Sequence, residues 1–335
     1  MSVRVGISGM GRIGRLTLRA MLADPEFEIV AVNNPSGVDM LAHLVRHDSV
    51  HGFGPEIEDK TEDSITLCGQ RIKVLGDRNP ANLPWGELGV DIVVESTGKF
   101  NDGTKACAHI EAGAKKVLIT APAKNVDATI VMGVNDDIYD PATMNIVSNA
   151  SCTTNCLAPM AKVLEDNFGI VRGFINTVHA YTNDQKLLDT EHKDLRRARA
   201  ANLSIIPTST GAARAVALVM PELAGKLDGF ATRVPTPDGS MVDLTVQLSR
   251  AVTPEEIDAA MRAAAEGPMK GVLQFTDDDV VSADIVGNPH SSIFDSKMSM
   301  VLGGKCDLVK CFAWYDNEWG YSNRVKDLAR LMATK

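Results

Sequence analysis

The 335-residue chain lacks any apolar run approaching the length of a membrane span, for which about 20 consecutive apolar residues are needed. No signal-peptide pattern stands at its start, which reads directly as a strand, so no secretory leader is expected. Internal repeats and low-complexity tracts are missing too. None of the six cysteines, at 68, 107, 152, 156, 306 and 311, forms a C-x-x-C pair. That argues against a zinc site, and no metal is expected. Their scatter along a long chain is no disulfide framework and fits a reducing cytoplasm. Basic residues are not in excess: 34 Lys+Arg against 43 Asp+Glu give a net charge of −9. That argues against nucleic acid or an anionic membrane as the main partner, while leaving room for a local basic pocket.

What is present is ordinary in bulk, with 44% hydrophobic and 23% charged residues, as in globular proteins. The length predicts two domains, each able to bury its own core. Val3 to Ser8 reads as a strand and feeds Gly9-Met-Gly-Arg-Ile-Gly14, then a helical run through Leu16, Leu18, Met21 and Leu22. Strand, G-x-G-x-x-G, then helix is the dinucleotide-binding arrangement. The glycines permit a tight turn and close approach of a pyrophosphate to the helix N-terminus. Gly9, Gly11, Arg12, Ile13 and Gly14 are therefore candidate cofactor residues. A second strand, Glu28 to Val32, ends at Asn33-Asn34. About 20 residues past the glycines an acidic residue normally bonds the ribose 2′-OH of NAD. Asn34 stands there instead, which removes repulsion against a 2′-phosphate yet still offers hydrogen bonds to a hydroxyl. NAD is the expected cofactor, with NADP possible.

The β/α pattern continues: a helix over Val38 to Val45, a hairpin around Gly69-Gln70, and apolar strands at Asp91 to Ser96 and Lys115 to Thr120. Such strands imply a parallel sheet covered on both faces, with ligands at the strand ends. Thr97, Thr120 and the loop residue Arg78 thus become cofactor candidates.

The stretch Asn145 to Met160 organises the chain. A short apolar run breaks at small polar residues, then apolar residues resume at helical offsets through Leu157, Met160, Ala161, Val163 and Leu164. Asn149 and Ser151 are candidate N-caps, which places Cys152 in the first helical turn. Unpaired N–H groups and the helix dipole favour negative charge there. The expectation is a lowered thiol pKa and a partly formed, reactive thiolate. Cys156, one turn on, reads as core.

Further on, Gly173 to Thr182 reads as a strand with Ile175, Thr177, His179 and Tyr181 on one face. A reactive thiol needs a base, which singles out His179. A polar loop follows over 183–202. Pro207 to Ala213 is read as opening a helix, with Thr210-Gly211 suited to an anion at its start. Arg233 offers a phosphate-matching fork. Met241 to Leu248 and Leu308 to Trp314 alternate as antiparallel strands. The aromatic tail Trp314 to Tyr321 leads into a last helix.

Ser148-Asn-Ala-Ser-Cys-Thr-Thr-Asn-Cys-Leu-Ala-Pro159 resembles the active-site signature of the phosphorylating glyceraldehyde-3-phosphate dehydrogenases, and Thr177-Val-His-Ala-Tyr-Thr182 matches the same family. The resemblance covers essentially the whole chain. It implies a Rossmann-type parallel-sheet domain over 1–150, an α+β catalytic domain with a mostly antiparallel sheet over 151–317, and a C-terminal helix over 318–335 docking on the first domain. It implies Cys152 as nucleophile and His179 as its base. Arg78, Thr120, Asn183 and Asn317 become cofactor contacts, Asn317 through the nicotinamide carboxamide. Ser151, Thr153, Thr182, Arg197, Thr210, Gly211 and Arg233 hold the substrate phosphate and the attacking phosphate. The implied reaction takes glyceraldehyde 3-phosphate and inorganic phosphate to 1,3-bisphosphoglycerate in glycolysis and gluconeogenesis, in a cytoplasmic homotetramer. The family's NAD-using form has Asp at 34. Many of its NAD-using members also have Leu-Pro where this chain has Thr190-Glu191. Asn34 favours relaxed cofactor use, whereas Glu191 would repel a 2′-phosphate. Two rival readings are an erythrose-4-phosphate dehydrogenase, in which water resolves the thioester, and a dinucleotide-bound redox sensor without catalysis.

Overall fold

The structure is a computed structural model and describes residues 2–334. The chain divides into two compact units: residues 2–130, 136–151 and 322–334 form the first, and 131–135 with 152–321 the second. No helix among the described residues is long and apolar enough to cross a membrane.

The first unit is built on a nine-stranded sheet. Its centre is Val3–Ser8, flanked by Phe27–Asn33 and Ile92–Glu95, all parallel. Lys116–Ile119, Ile146–Ser148 and Ala128–Thr129 extend it in parallel on one side. Gln70–Leu75 extends it in parallel on the other side, followed by its hairpin partner Ser64–Leu67, which runs the opposite way, and the edge strand Asp59–Lys60, antiparallel to that partner. Val5, Ile7, Val93, Val94, Val117 and Leu118 are fully or almost fully buried, as strands covered on both faces require. Register has a functional consequence. Ser8 pairs with both Asn33 and Glu95, Glu95 with Ile119, and Ile119 with Ser148. Five strand ends therefore stand in one row at the carboxyl edge, where such sheets take their ligands.

The last helix, Trp319–Thr334, contributes its residues from 322 onward to this unit. Arg330 bonds Asp24 and Glu26 and lies over the Phe27 ring at 5.6 Å. The first turn of that helix belongs to the second unit, because Gly320 lies against the His290 carbonyl with no room for a side chain.

The second unit carries a seven-stranded sheet in the order Ile206–Ser209, Leu227–Val234, Ile170–Ala180, Ser240–Val252, Cys306–Tyr315, Ser292–Val301, Leu273–Thr276. It is mostly antiparallel; Ile170–Ala180 with Leu227–Val234 and the last pair run parallel. Alternation sorts its two faces. Ile175, Thr177 and His179 are buried on the side where helix Cys152–Phe168 packs. Phe174 and Phe230 point the other way and are 71% and 51% exposed. One expectation holds in part. The helix does open within Pro207 to Ala213, with Gly211 as its N-cap, and runs over Ala212–Val219, but Pro207 to Ser209 lies in strand Ile206–Ser209, paired antiparallel with Leu227–Val234. Period-two burial decides it, since Ile206 and Thr208 are buried while Pro207 and Ser209 are exposed.

Candidate active site

Cys152 is the first residue of helix Cys152–Phe168. The chain reaches it from strand Ile146–Ser148 through a turn in which buried Ala150 adopts φ 55°. A left-handed alanine is strained, and such strain persists only where neighbours enforce it. The Ser148 hydroxyl does so, donating to the Ala121 carbonyl at 2.7 Å and accepting the Ala150 N–H at 3.1 Å.

His179 lies near the end of strand Ile170–Ala180, and its Nε2 is 3.4 Å from the Cys152 sulfur. Arg233 is its direct partner on the adjacent parallel strand. The Arg233 Nη1 lies 2.8 Å from His179 Nδ1 and donates to the Ala180 carbonyl at 2.9 Å. That same carbonyl is 2.6 Å from Nδ1. Nδ1 thus has both a donor, Arg233, and an acceptor, the Ala180 carbonyl, within reach; the tautomer with Nδ1–H on the carbonyl is the one that leaves Nε2 facing the sulfur as an acceptor, which a base requires. Tyr315 stands edge-on to the imidazole at 5.8 Å. Its hydroxyl lies 2.9 Å from Thr153 Oγ1 and 2.8 Å from Thr177 Oγ1.

The charge state differs from expectation. Burial pushes the Cys152 thiol up from its ordinary value, against the opposing pull of Arg233 and of hydrogen bonds from Thr153. Burial, then the Arg233 charge, push His179 down to about 3. Both shifts run against a separated thiolate–imidazolium pair, and the thiol's runs opposite to the lowering expected at a helix start. The helix start alone does not make a thiolate, because desolvation of the sulfur outweighs it. Arg233 is the one nearby group drawing both members toward their deprotonated forms.

Asn317 is held on the same strand end. Ser240 Oγ accepts the Ala180 N–H at 3.0 Å and donates to Asn317 Oδ1 at 2.6 Å. This bond engages the oxygen of the buried Asn317 amide and leaves Nδ2 as its donor. The anion candidates of this unit are dispersed in role. Arg197 bonds Asp184 of its own loop and the Thr208 hydroxyl and Ser209 carbonyl of strand Ile206–Ser209. Thr210 accepts the Ala212 N–H, and Gly211 is the N-cap of Ala212–Val219, with no side-chain cap bond. Thr182 is half-buried and Asn183 exposed just past the His179 strand. Ser151 directly precedes the helix start.

The remaining candidates lie in the first unit. Gly9 takes φ 94°, and a Cβ there would sit 2.6 Å from the Thr97 nitrogen. A Cβ on Gly14 would meet the Gly9 carbonyl oxygen at 2.0 Å. Before Gly11, the N-cap of helix Arg12–Leu22, there is open space. That helix starts without a side-chain cap bond or acidic residue. The turn fits a pyrophosphate received by backbone N–H groups. Ile13 follows in the first turn. The Arg12 side chain is 2.5 Å from Asp48. Burial would raise Asp48, but N–H groups of His51 and Val50 together with Arg12 bring it to about 2. Asn34 is half-buried at the end of its strand and donates to the Gly37 carbonyl. Arg78 is exposed. Thr97 and Thr120 both bond Glu95. Sequence reasoning missed Glu95, Ser240, Tyr315 and Asp48. Only Glu95 left a trace, as a lone carboxylate closing an apolar strand.

Family profiles match the chain over residues 3–103, described as the glyceraldehyde 3-phosphate dehydrogenase NAD binding domain, and 151–317, its C-terminal domain. The chain is 60% identical over 330 residues to glyceraldehyde-3-phosphate dehydrogenase of Streptomyces coelicolor, covering 98% of each. It is 58% identical to that of Geobacillus stearothermophilus, covering 100% of this chain and 99% of the relative. The Mycobacterium tuberculosis protein of the same name is 58% identical over 99% of both.

The electrostatics make a prediction for Arg233. Its positive charge favours the thiolate, so Arg233→Met is expected to move the midpoint of Cys152 alkylation by iodoacetamide to higher pH. A midpoint unchanged or lower would show that Arg233 does not set the thiol.

Proposed function

The chain belongs to the glyceraldehyde 3-phosphate dehydrogenase family, and we propose that it oxidises glyceraldehyde 3-phosphate to 1,3-bisphosphoglycerate through a thioester on Cys152. The observation that supports this reading best is the 3.4 Å approach of sulfur and imidazole beside an in-register arginine. The Cys152 sulfur attacks the aldehyde carbon as its proton passes to His179 Nε2, which returns it to the developing alkoxide, leaving a neutral thiohemiacetal and a free Nε2. The resulting thiohemiacetal loses its hydroxyl proton to the same nitrogen as the carbon is oxidised. NAD, when bound, supplies the hydride acceptor for that step. Inorganic phosphate then attacks the thioester carbonyl, forming the acyl phosphate and returning the sulfur as leaving group.

Two anions must be held. Thr182 and Arg233 suit one; Ser151, Thr153, Arg197, Thr210 and Gly211 suit the other, partly through N–H groups at helix starts. Gly9, Gly11, Arg12, Ile13 and Gly14 would cradle the pyrophosphate, and Asn34 the adenosine ribose. Arg78, Thr97, Thr120, Asn183 and Asn317 would complete the NAD contacts, Asn317 through its Nδ2. Because Asn34 carries no charge, it does not itself repel the 2′-phosphate of NADP, whereas Glu191 would; NAD is the cofactor the family supports. The exposed apolar face bearing Phe174 and Phe230 is best satisfied by other copies of the chain, as in a homotetramer. Reducing conditions in the cytoplasm suit a nucleophilic thiol.

Cys152→Ser is expected to abolish turnover while leaving NAD binding close to wild type, and wild-type NAD reduction should depend on added phosphate. Full activity in that variant would overturn the assignment; phosphate-independent turnover would replace phosphorolysis by hydrolysis. Asn34→Asp should lower kcat/KM for NADP relative to NAD, and an unchanged ratio would remove Asn34 as a determinant. Phe174→Asp with Phe230→Asp should reduce the assembly in sedimentation; an unaltered tetramer would place the interface elsewhere.

A further inference from the structure

Behind the row of strand ends in the first unit lies a chain of buried hydrogen bonds in which every direction is fixed. Trp85 and His109 are fully buried, and Glu95 is 1% exposed. An indole N–H can only donate. Trp85 Nε1 is 3.0 Å from His109 Nδ1, so Nδ1 accepts. The ring proton is then on Nε2, which donates to Glu95 Oε2 at 3.0 Å. The other carboxylate oxygen, Oε1, accepts both the N–H of Thr97, at 2.8 Å, and its hydroxyl. The backbone of Glu95 is used as well: its carbonyl takes the N–H of Thr120 at 3.0 Å and the Thr120 hydroxyl at 3.1 Å.

The end of this chain meets the glycine turn. Ser96 donates to the carbonyl of Gly9 at 2.6 Å, and the Thr97 nitrogen fills the space where a Gly9 side chain would stand. The segment Ser96-Thr97 is thus the wall against which Gly9 to Gly14 is shaped. Nothing in that wall is fixed by apolar packing alone; a carboxylate at its base sets it.

We propose that Trp85, His109 and Glu95 form a one-way hydrogen-bond relay that positions Thr97, and through it the glycine turn, for dinucleotide binding. These are positioning residues, buried away from the ligand. The proposal rests on the reading above that the glycine turn and Thr97 hold NAD.

The polarity of the relay supplies its own test. Glu95→Gln keeps the shape but brings a donor. If the new amide's oxygen faces Thr97, its NH2 confronts the His109 Nε2–H. Turning the His109 proton to Nδ1 only moves the clash to the Trp85 N–H. If the amide is reversed, its NH2 confronts the Thr97 N–H. Trp85→Phe removes the donor that locks the ring, so His109 can carry its proton on Nδ1 and accept from the new amide through Nε2.

In the purified full-length protein, Glu95→Gln is expected to raise the Kd and KM for NAD about tenfold, as one unmatched buried donor would. Its kcat at saturating NAD should stay within about twofold. Trp85→Phe alone should change Kd by less than about threefold, and Trp85→Phe with Glu95→Gln should recover most of the lost affinity. A general loss of folding would not be rescued by a second cavity-forming substitution. If Glu95→Gln is too unstable to purify, the double variant must fold and bind NAD within about threefold of Trp85→Phe. Wild-type affinity in Glu95→Gln, or a double variant weaker than the single one, overturns the relay. Gly14→Ala separates the underlying reading, because its Cβ overlaps the Gly9 carbonyl. If that variant still binds NAD normally, the turn is not the dinucleotide site. If it loses NAD while Glu95→Gln does not, only the relay falls.

Discussion

A sulfur at the start of a helix and an imidazole near the end of a strand, 27 residues apart in sequence, approach to 3.4 Å. Two backbone constraints hold them there. One is the left-handed turn at Ala150, of the kind that costs about 1–3 kcal/mol and needs its neighbours to persist. The other is the parallel register that sets His179 directly beside Arg233. A slip of one residue on either strand would turn the imidazole or the guanidinium to the opposite sheet face, away from the thiol. The chemistry therefore depends less on any one side chain than on where two strands stop.

The same burial that orients the pair also neutralises it. Desolvation raises the thiol and lowers the imidazole, so the low-dielectric pocket resists separated charge. Arg233 counters this for the sulfur but deepens it for the ring. Arg233 thus works with burial at the ring and against it at the sulfur, and favours the deprotonated form of both.

Much of this is legible in the sequence because it rests on short-range rules. Glycine spacing after Val3–Ser8, apolar runs at Ile92–Glu95 and Lys116–Ile119, and the strand-to-helix break before Cys152 each follow from local periodicity. The separate match over Thr177 to Thr182 singles out His179 as the base, while Arg233 is read only as a phosphate contact and not as the imidazole's neighbour. What stays hidden depends on register between distant segments. Pro207 to Ser209 reads as a helix start because its pairing partner lies in Leu227–Val234, far along the chain. Ser240 is one serine among many until antiparallel pairing brings Oγ between the Ala180 N–H and the Asn317 amide. The thiol's protonation departs from expectation because a helix N-terminus can be read from sequence, whereas desolvation cannot.

Buried polar groups tie these observations together. Each must find a partner, and where a partner can act in one direction only, the whole chain of bonds inherits that direction. Ser240 orders Asn317 in this manner, and the Trp85–His109–Glu95 row orders Thr97. In both cases a neighbouring group restricts which donors and acceptors a buried or half-buried side chain can present. An apolar replacement of equal volume could keep the fold, yet it would leave the amide or the hydroxyl free to turn. The polar core at these strand ends is thus retained for orientation, and its cost in desolvation is offset because every direction in it is satisfied at once.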